Sequence, residues 1–245
     1  MPNTRVASLF AVGPPRPAQM LGLVIVTVAV LWTVSSWCYY ALVNGWSFES
    51  GYDDAPILFT GFYLVWSAVA LALFRPLFSM HVTLRRIMGH IVALLPILLI
   101  YGAFVTLVLP LLPDVSEVRA PPNPPEFMFA SAWYYLPKSA DILFQQTLVA
   151  AMVLSAHRAG FRLRLISIGM AVMFGGFHLM LIFDGFTSLY VARFTIAAAI
   201  FGLVIPYLYL RTRYGFRWAY GLHWSFYAVD AAVTHVVLAV PPWMN

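Results

Sequence analysis

Two histidines, two aspartates and an adjacent pair of glutamines stand inside otherwise apolar stretches of this 245-residue chain: Asp141, Gln145, Gln146, His178, His223 and Asp230. Polar and ionisable groups in such stretches are costly to bury and mark a functional site by default. Asp141 and Gln145 are four residues apart and share a helical face. His223, Tyr227, Asp230 and Thr234 follow at intervals of four, three and four, a single polar stripe that His235 extends. Phe174 and His178 are one turn apart, and Gly175 and Gly176 between them leave room for a neighbouring helix. A histidine with a carboxylate in reach can serve as general acid and base, and the same groups can pass protons.

Taken singly, each histidine is accounted for by one interhelical hydrogen bond, worth about 0.6 kcal/mol in a membrane interior. Two on different helices, with a carboxylate and a glutamine pair, point instead to a shared polar cavity. Zinc fits less well. A catalytic zinc takes three protein ligands and an open position, and Asp230 supplies a third to His178 and His223 only if the helices converge. The expected site therefore holds no cofactor. Asp184 and Arg193 flank a short turn and read as solvated, while His81, His90 and His157 fall near a membrane surface and carry no site signal.

Helices in lipid must position these residues. The chain is 62% hydrophobic and 9% charged, with a mean hydropathy of +0.84, whereas a soluble domain is about a quarter charged. Seven apolar segments emerge, at Met20–Val43, Pro56–Phe74, Met88–Leu111, Ser139–Ala156, Leu163–Phe183, Ser188–Leu210 and Trp218–Val240. Each is close to the ~20 residues that cross a ~30 Å hydrocarbon core. Barrel strands would alternate over short segments, and backbone groups in lipid must be satisfied within their own segment. The fold class is all-α, a polytopic membrane protein of about seven transmembrane helices. One transmembrane domain covers 20–240 after a tail at 1–19. With Arg5, Arg16 and three prolines ahead of a long apolar run, that start reads as a retained first helix rather than a cleaved signal peptide.

Arginines set the orientation. Arg5 and Arg16 precede the first segment; Arg75, Arg85 and Arg86 join the second to the third; Arg158, Arg162 and Arg164 join the fourth to the fifth; Arg211, Arg213 and Arg217 join the sixth to the seventh. Arg119, Lys138 and Arg193 are the exceptions, and Glu49, Asp53, Asp54, Asp114, Glu117 and Glu126 all lie in the opposite loops. The positive-inside rule then puts the N-terminus in the cytoplasm and the C-terminus outside, a pattern that suits a bacterial inner membrane. Arginines scattered as topology signals argue against a nucleic-acid partner, which needs a basic patch on one face. The lone Cys38 permits no internal disulfide. The longest loop, 112–138, carries Pro121, Pro122, Pro124 and Pro125, then Phe127, Phe129, Trp133, Tyr134 and Tyr135. It reads as an extended proline run followed by a short helix at the interface, where aromatic rings anchor. No internal repeat is visible.

From Ser139 to Asp230 the order of these residues resembles the CPBP (Abi, type II CAAX protease-like) intramembrane proteases. That family carries E-E-x-x-x-R on one helix, F-x-x-x-H on the next and H-x-x-x-N or H-x-x-x-D on a later one. Phe174-Gly175-Gly176-Phe177-His178 matches the second motif. The stretch from Phe201 through Leu210 and Tyr214 to His223 is similar to the run into the third, and Gln145-Gln146 stands where the glutamate pair belongs. The resemblance implies catalytic positions at Gln145, Gln146, His178 and His223. In the family a glutamate activates water and the histidines position water and stabilise the oxyanion.

The departures lie at the chemistry. Both glutamates are glutamines, Ala150 replaces the arginine and Tyr227 replaces the Asn or Asp. An amide oxygen accepts hydrogen bonds but does not serve as a base, and losing general-base help slows a reaction by about 100- to 10,000-fold. The expectation is a degenerate protease fold acting as a membrane scaffold or as a subunit that holds another membrane protein. An active peptidase using Asp141 or Asp230 with His178 and His223 is the rival, and a small transporter or proton relay the third reading. At ~1.5 Å rise per residue, depth counting puts Gln145 and His178 in the outer half and His223 near the inner face, more than about 10 Å apart along the membrane normal.

Overall fold

The computed structural model describes residues 17–49, 51–79, 84–122 and 124–240, without the side chains of residues 84–87, 126 and 184. The readings of Arg5, Arg16, His81, Arg85, Arg86, Glu126 and Asp184 fall outside that description in whole or in part. Among the described residues the chain is all-α, with no strand and one isolated bridge from Val115 to Ala239. In order come α1 (Pro17–Gly45), the single turn α2 (Gly51–Asp54), α3 (Pro56–Leu73), the short α4 (Arg75–Ser79), α5 (Leu84–Ala103), α6 (Tyr135–Arg158), α7 (Leu163–Leu179), α8 (Ser188–Arg211) and α9 (Gly215–Val237). A π turn at Phe104–Val108 and a 3-10 turn at Leu109–Leu111 prolong α5.

Six stretches are long and apolar enough to cross a bilayer: Pro17–Gly45, Pro56–Leu73, Met88–Leu111, Ala132–Arg158, Leu163–Phe183 and Ser188–Arg211. The chain is a polytopic helical membrane protein. The seventh expected segment is the exception. As α9 it has the length, but Arg217, His223, Asp230 and His235 dilute its apolar character and it is not among the six.

The same balance of polarity decides which helix is central. α6 is the least apolar of the six spans, yet 78% of its most apolar stretch is buried, against 28% or less for the others. In lipid the apolar helices face the solvent and polar side chains turn inward. α3 lies along one flank of α6, with α1, α7, α8 and α9 around the rest. α7 and α8 form the tightest pair, because a Cβ on Gly202 would sit 2.6 Å from the backbone of Met170 and Ala171. Of the two glycines expected at a helix contact, Gly175 faces Ala199 at 3.1 Å, while Gly176 meets nothing within 4 Å.

α9 is fixed to α6 through Ser139, whose backbone oxygen accepts from the Tyr220 hydroxyl (3.1 Å) and whose Oγ accepts from Trp224 Nε1 (2.8 Å). Trp224 in turn stacks on Tyr101 of α5, with ring centroids 4.0 Å apart. At the far end of α9, Ser116 N donates to Leu238 O (2.8 Å) and Val240 N to Asp114 O (3.0 Å), which pins the long loop to that helix.

The loop corrects two expectations. It ends at Tyr134, with α6 beginning at Tyr135, rather than at residue 138. Its aromatics do not form one short helix: Phe127 sits in a 3-10 turn at Glu126–Met128, Trp133 and Tyr134 in another at Ala132–Tyr134, Tyr135 opens α6, and Phe127, Tyr134 and Tyr135 are buried. Only Phe129 and Trp133 of the five are exposed. Phe127 packs between Tyr190, Phe194 and Tyr227, with centroids 5.6 to 6.2 Å away, so α8 and α9 present enough apolar ring surface to draw it inward.

Candidate functional site

The polar side chains of α6 meet those of α8 and α9 in the middle of the bundle. Gln146 is fully buried, and burial obliges its amide to find partners. Its Nε2 lies 2.9 Å from Nδ1 of His223, and its Oε1 accepts from the Tyr209 hydroxyl at 2.7 Å. The same hydroxyl is 3.1 Å from the Gln146 backbone oxygen. The depth separation expected between the glutamines and His223 is therefore overturned: the helices are staggered so that Gln146 and His223 lie at one level.

Direction follows from chemistry. Because the amide donates, His223 Nδ1 accepts, and its ring proton sits on Nε2. His178 closes on its own helix, with Nδ1 2.8 Å from the Phe174 carbonyl oxygen. A carbonyl only accepts, so Nδ1 of His178 carries the proton and Nε2 is bare. Phe201 lies between Phe174 and His223, with ring centroids 5.8 Å and 4.9 Å away. Both His178 and Lys138 lie within electrostatic reach of His223. The two histidines thus offer one N–H donor and one bare nitrogen, each able to orient a water or a hydroxyl, and among the described residues neither ring is bonded to a carboxylate.

Both candidate carboxylates are engaged by cations. Asp141 accepts from Lys138 Nζ at 2.9 Å and from Gln145 Nε2 at 2.9 Å. Gln145 therefore faces Asp141 as its spacing implies, and not the histidines. Asp230 pairs with Arg193 at 2.8 Å, its second oxygen buried without a hydrogen-bond partner. That corrects the reading of Arg193 as solvated: the α8 arginine turns onto α9, where a buried carboxylate gives it an electrostatic partner that water cannot. It also gives Asp230 a cation, not a histidine, as its partner. Among the described residues no three His, Cys, Asp or Glu side chains gather as metal ligands.

Lys138, Tyr209 and Arg193 belong to this polar interior, and none was named as a site residue from the sequence. Lys138 had a legible signal: it stands three residues before Asp141, the spacing of a helical ion pair. Its ammonium lies 4.4 Å from the Tyr227 ring centroid and 5.9 Å from that of Tyr52. Tyr52, on α2, shares a hydrogen bond with Tyr63, and burial holds its hydroxyl well above the ordinary phenol range, so it stays a neutral donor. Tyr209 carried no signal, since tyrosine is common in membrane helices. Comparison with family models finds no match, and neither characterised proteins nor solved structures yield one.

Proposed function

We propose that the chain is a catalytically inert relative of the CPBP intramembrane proteases that works as a scaffold or subunit, holding another membrane protein in the bilayer. The observation that carries this reading is the 2.9 Å contact from Gln146 to His223. An amide, bonded on both sides, stands where the family resemblance puts a glutamate, and it is a poor proton acceptor. Asp141 and Asp230, the two possible substitutes, are each held by a cation. An apolar cleft of about 280 Å³ between α1, α6 and α7, lined by Val28, Trp32, Met152, Phe174 and Phe177, opens beside the turn that carries His178. It gives a transmembrane segment of the partner a place to lie. The arginine pattern supports a cytoplasmic N-terminus in a bacterial inner membrane.

The test is gentle detergent purification of the tagged protein, with mass spectrometry of what stays bound. It compares wild type, His178→Ala/His223→Ala and Ala29→Trp, the last filling the cleft from an exposed position on α1. A stoichiometric membrane protein retained by wild type and by the histidine variant, and released by Ala29→Trp, is the expected result. No partner in any of them, or one captured only when the histidines are removed, overturns the scaffold and returns the cleft to a transient substrate.

A further inference from the structure

A second cleft, of about 450 Å³, lies between α5, α8 and α9, and none of its lining residues belongs to the histidine cluster. Its walls are apolar, with Ile97 from α5, Val204 and Leu208 from α8 and Leu222 from α9. The polar groups there are already satisfied: the Tyr101 hydroxyl donates to Gly221 O at 2.5 Å and lies 2.6 Å from Ser225 Oγ.

One end of the cleft is basic. Thr212, between Arg211 and Arg213, lines it together with Trp218, and the Arg217 guanidinium carbon lies 4.3 Å from the Trp218 ring centroid. Arg211 and Arg213 are exposed, whereas Arg217 is half-buried, with its Nε shielded and lacking a hydrogen-bond partner. Among the described residues no carboxylate pairs with these three. None of the nine acidic residues falls within α5, α8, the turn between α8 and α9, or α9 before Asp230, and Asp230 is taken by Arg193.

The turn that presents the arginines is tightly specified. Tyr214 adopts a left-handed φ of 55°, a Cβ on Gly215 would lie 1.9 Å from Leu208 O, and the Tyr214 ring meets His90 of α5 edge-on at 5.2 Å. α5 is thereby held at a fixed distance across the cleft from α8.

We propose that this cleft binds an anionic diacyl phospholipid, with its phosphate held by Arg211, Arg213 and Arg217 and one acyl chain laid along Ile97, Leu208 and Leu222. Charge complementarity selects the headgroup, since basic pockets between membrane helices recognise anionic lipids. The guanidinium fork matches phosphate oxygens two at a time, and the Arg217 Nε–H has no hydrogen-bond partner among the described residues. The apolar wall selects the chain, and Trp218 at the mouth sits where an amphipathic ring prefers the headgroup level.

The experiment titrates the purified full chain in detergent with phosphatidylglycerol and with phosphatidylcholine of the same acyl chains, reading bound lipid by native mass spectrometry. Phosphatidylglycerol is expected to bind more tightly, and Arg213→Gln/Arg217→Gln to weaken it about tenfold while weakening phosphatidylcholine, whose phosphate is offset by the choline charge, by less. Leu222→Trp, which fills the cleft with every charge in place, is expected to weaken both lipids. Arg162→Gln/Arg164→Gln, at the α6–α7 connection, is expected to change neither. Equal affinity for the two lipids overturns the proposal, as does an equal loss in the α6–α7 variant, which makes the effect one of diffuse surface charge. Undiminished binding by Leu222→Trp overturns it as well, because the headgroup alone is then being read.

Discussion

Gln146 and His223, 77 residues apart in the chain, meet at 2.9 Å through the amide nitrogen of one and Nδ1 of the other. With the Tyr209 hydroxyl bonded to Gln146 Oε1, the three side chains form a neutral relay of donors and acceptors that crosses α8, α6 and α9. Nothing in it needs to ionise to be satisfied, which suits a low-dielectric interior where an unpaired charge is costly. A glutamate in the place of Gln146 would bring that charge.

Gln146→Leu keeps the shape but strands His223 Nδ1, while Tyr209 retains the backbone oxygen at 3.1 Å. A buried acceptor left without a donor costs about 1–3 kcal/mol. Thermal unfolding in detergent is expected to show a clear loss for Gln146→Leu and a smaller one for Tyr209→Phe. The double variant should lose less than the sum, because the two act on one amide. Additive losses would mean that the relay does not act as a unit.

The Arg193–Asp230 pair is asymmetric, with the arginine side chain 40% exposed and the aspartate 5%. Removing the arginine leaves a carboxylate stranded among apolar groups, whereas removing the aspartate's charge leaves an arginine free to reach water. Arg193→Gln is therefore expected to cost about 3 kcal/mol, and Asp230→Asn much less. Arg193→Gln/Asp230→Asn should recover most of the loss. A double-mutant cycle on unfolding midpoints reads the coupling, and a neutral Arg193→Gln would show the pair to be ornamental.

Hydropathy made the membrane fold and six of the spans legible, because lipid imposes length and apolarity on every helix it touches. It made the ends of those helices legible too, within a few residues. Two things escaped it. The depth of each side chain depends on tilt and stagger, which no count of residues supplies, so Gln146 and His223 were expected at different levels. The inward turn of Phe127 escaped for a related reason: an aromatic in a polar loop looks the same whether it anchors at an interface or plugs a gap between Tyr190, Phe194 and Tyr227. Asp141 and Gln145 were legible as a pair, since helical spacing alone brings them together.

Glycine positions give a graded series. A Cβ on Gly202 meets backbone atoms of α7 at 2.6 Å, which cannot give way without moving the helix; one on Gly175 meets Ala199 Cβ at 3.1 Å; one on Gly176 meets nothing within 4 Å. Gly202→Ala is expected to destabilise the protein most, by about 1–3 kcal/mol as overpacking does. Gly175→Ala should fall between, and Gly176→Ala should be neutral or stabilising by about 0.5–1 kcal/mol through helix propensity. Unfolding midpoints of the three alanine variants test the order, and a neutral Gly202→Ala would contradict the tight α7–α8 contact.

Asp53 binds the segment that covers Lys138. Its Oδ2 accepts from Ser131 N at 3.1 Å and its Oδ1 from the Ser131 hydroxyl, while Ser131 Oγ accepts from Trp133 N and so caps the 3-10 turn that leads into α6. Next to it, Tyr52 packs on Tyr134 with centroids 5.2 Å apart and lies near the Lys138 ammonium. One carboxylate thus ties α2 to the start of the central helix. Asp53→Ala removes both bonds at an exposed position, so the fold should persist while the turn opens more often. Losing these two exposed hydrogen bonds costs about 1 kcal/mol, which corresponds to about a fivefold rise in amide exchange at Ala132–Tyr134 if exchange there proceeds by local opening. Exchange in the middle of α6 should stay unchanged. A rise spread evenly along α6 would show that Asp53 stabilises the whole bundle rather than its cover.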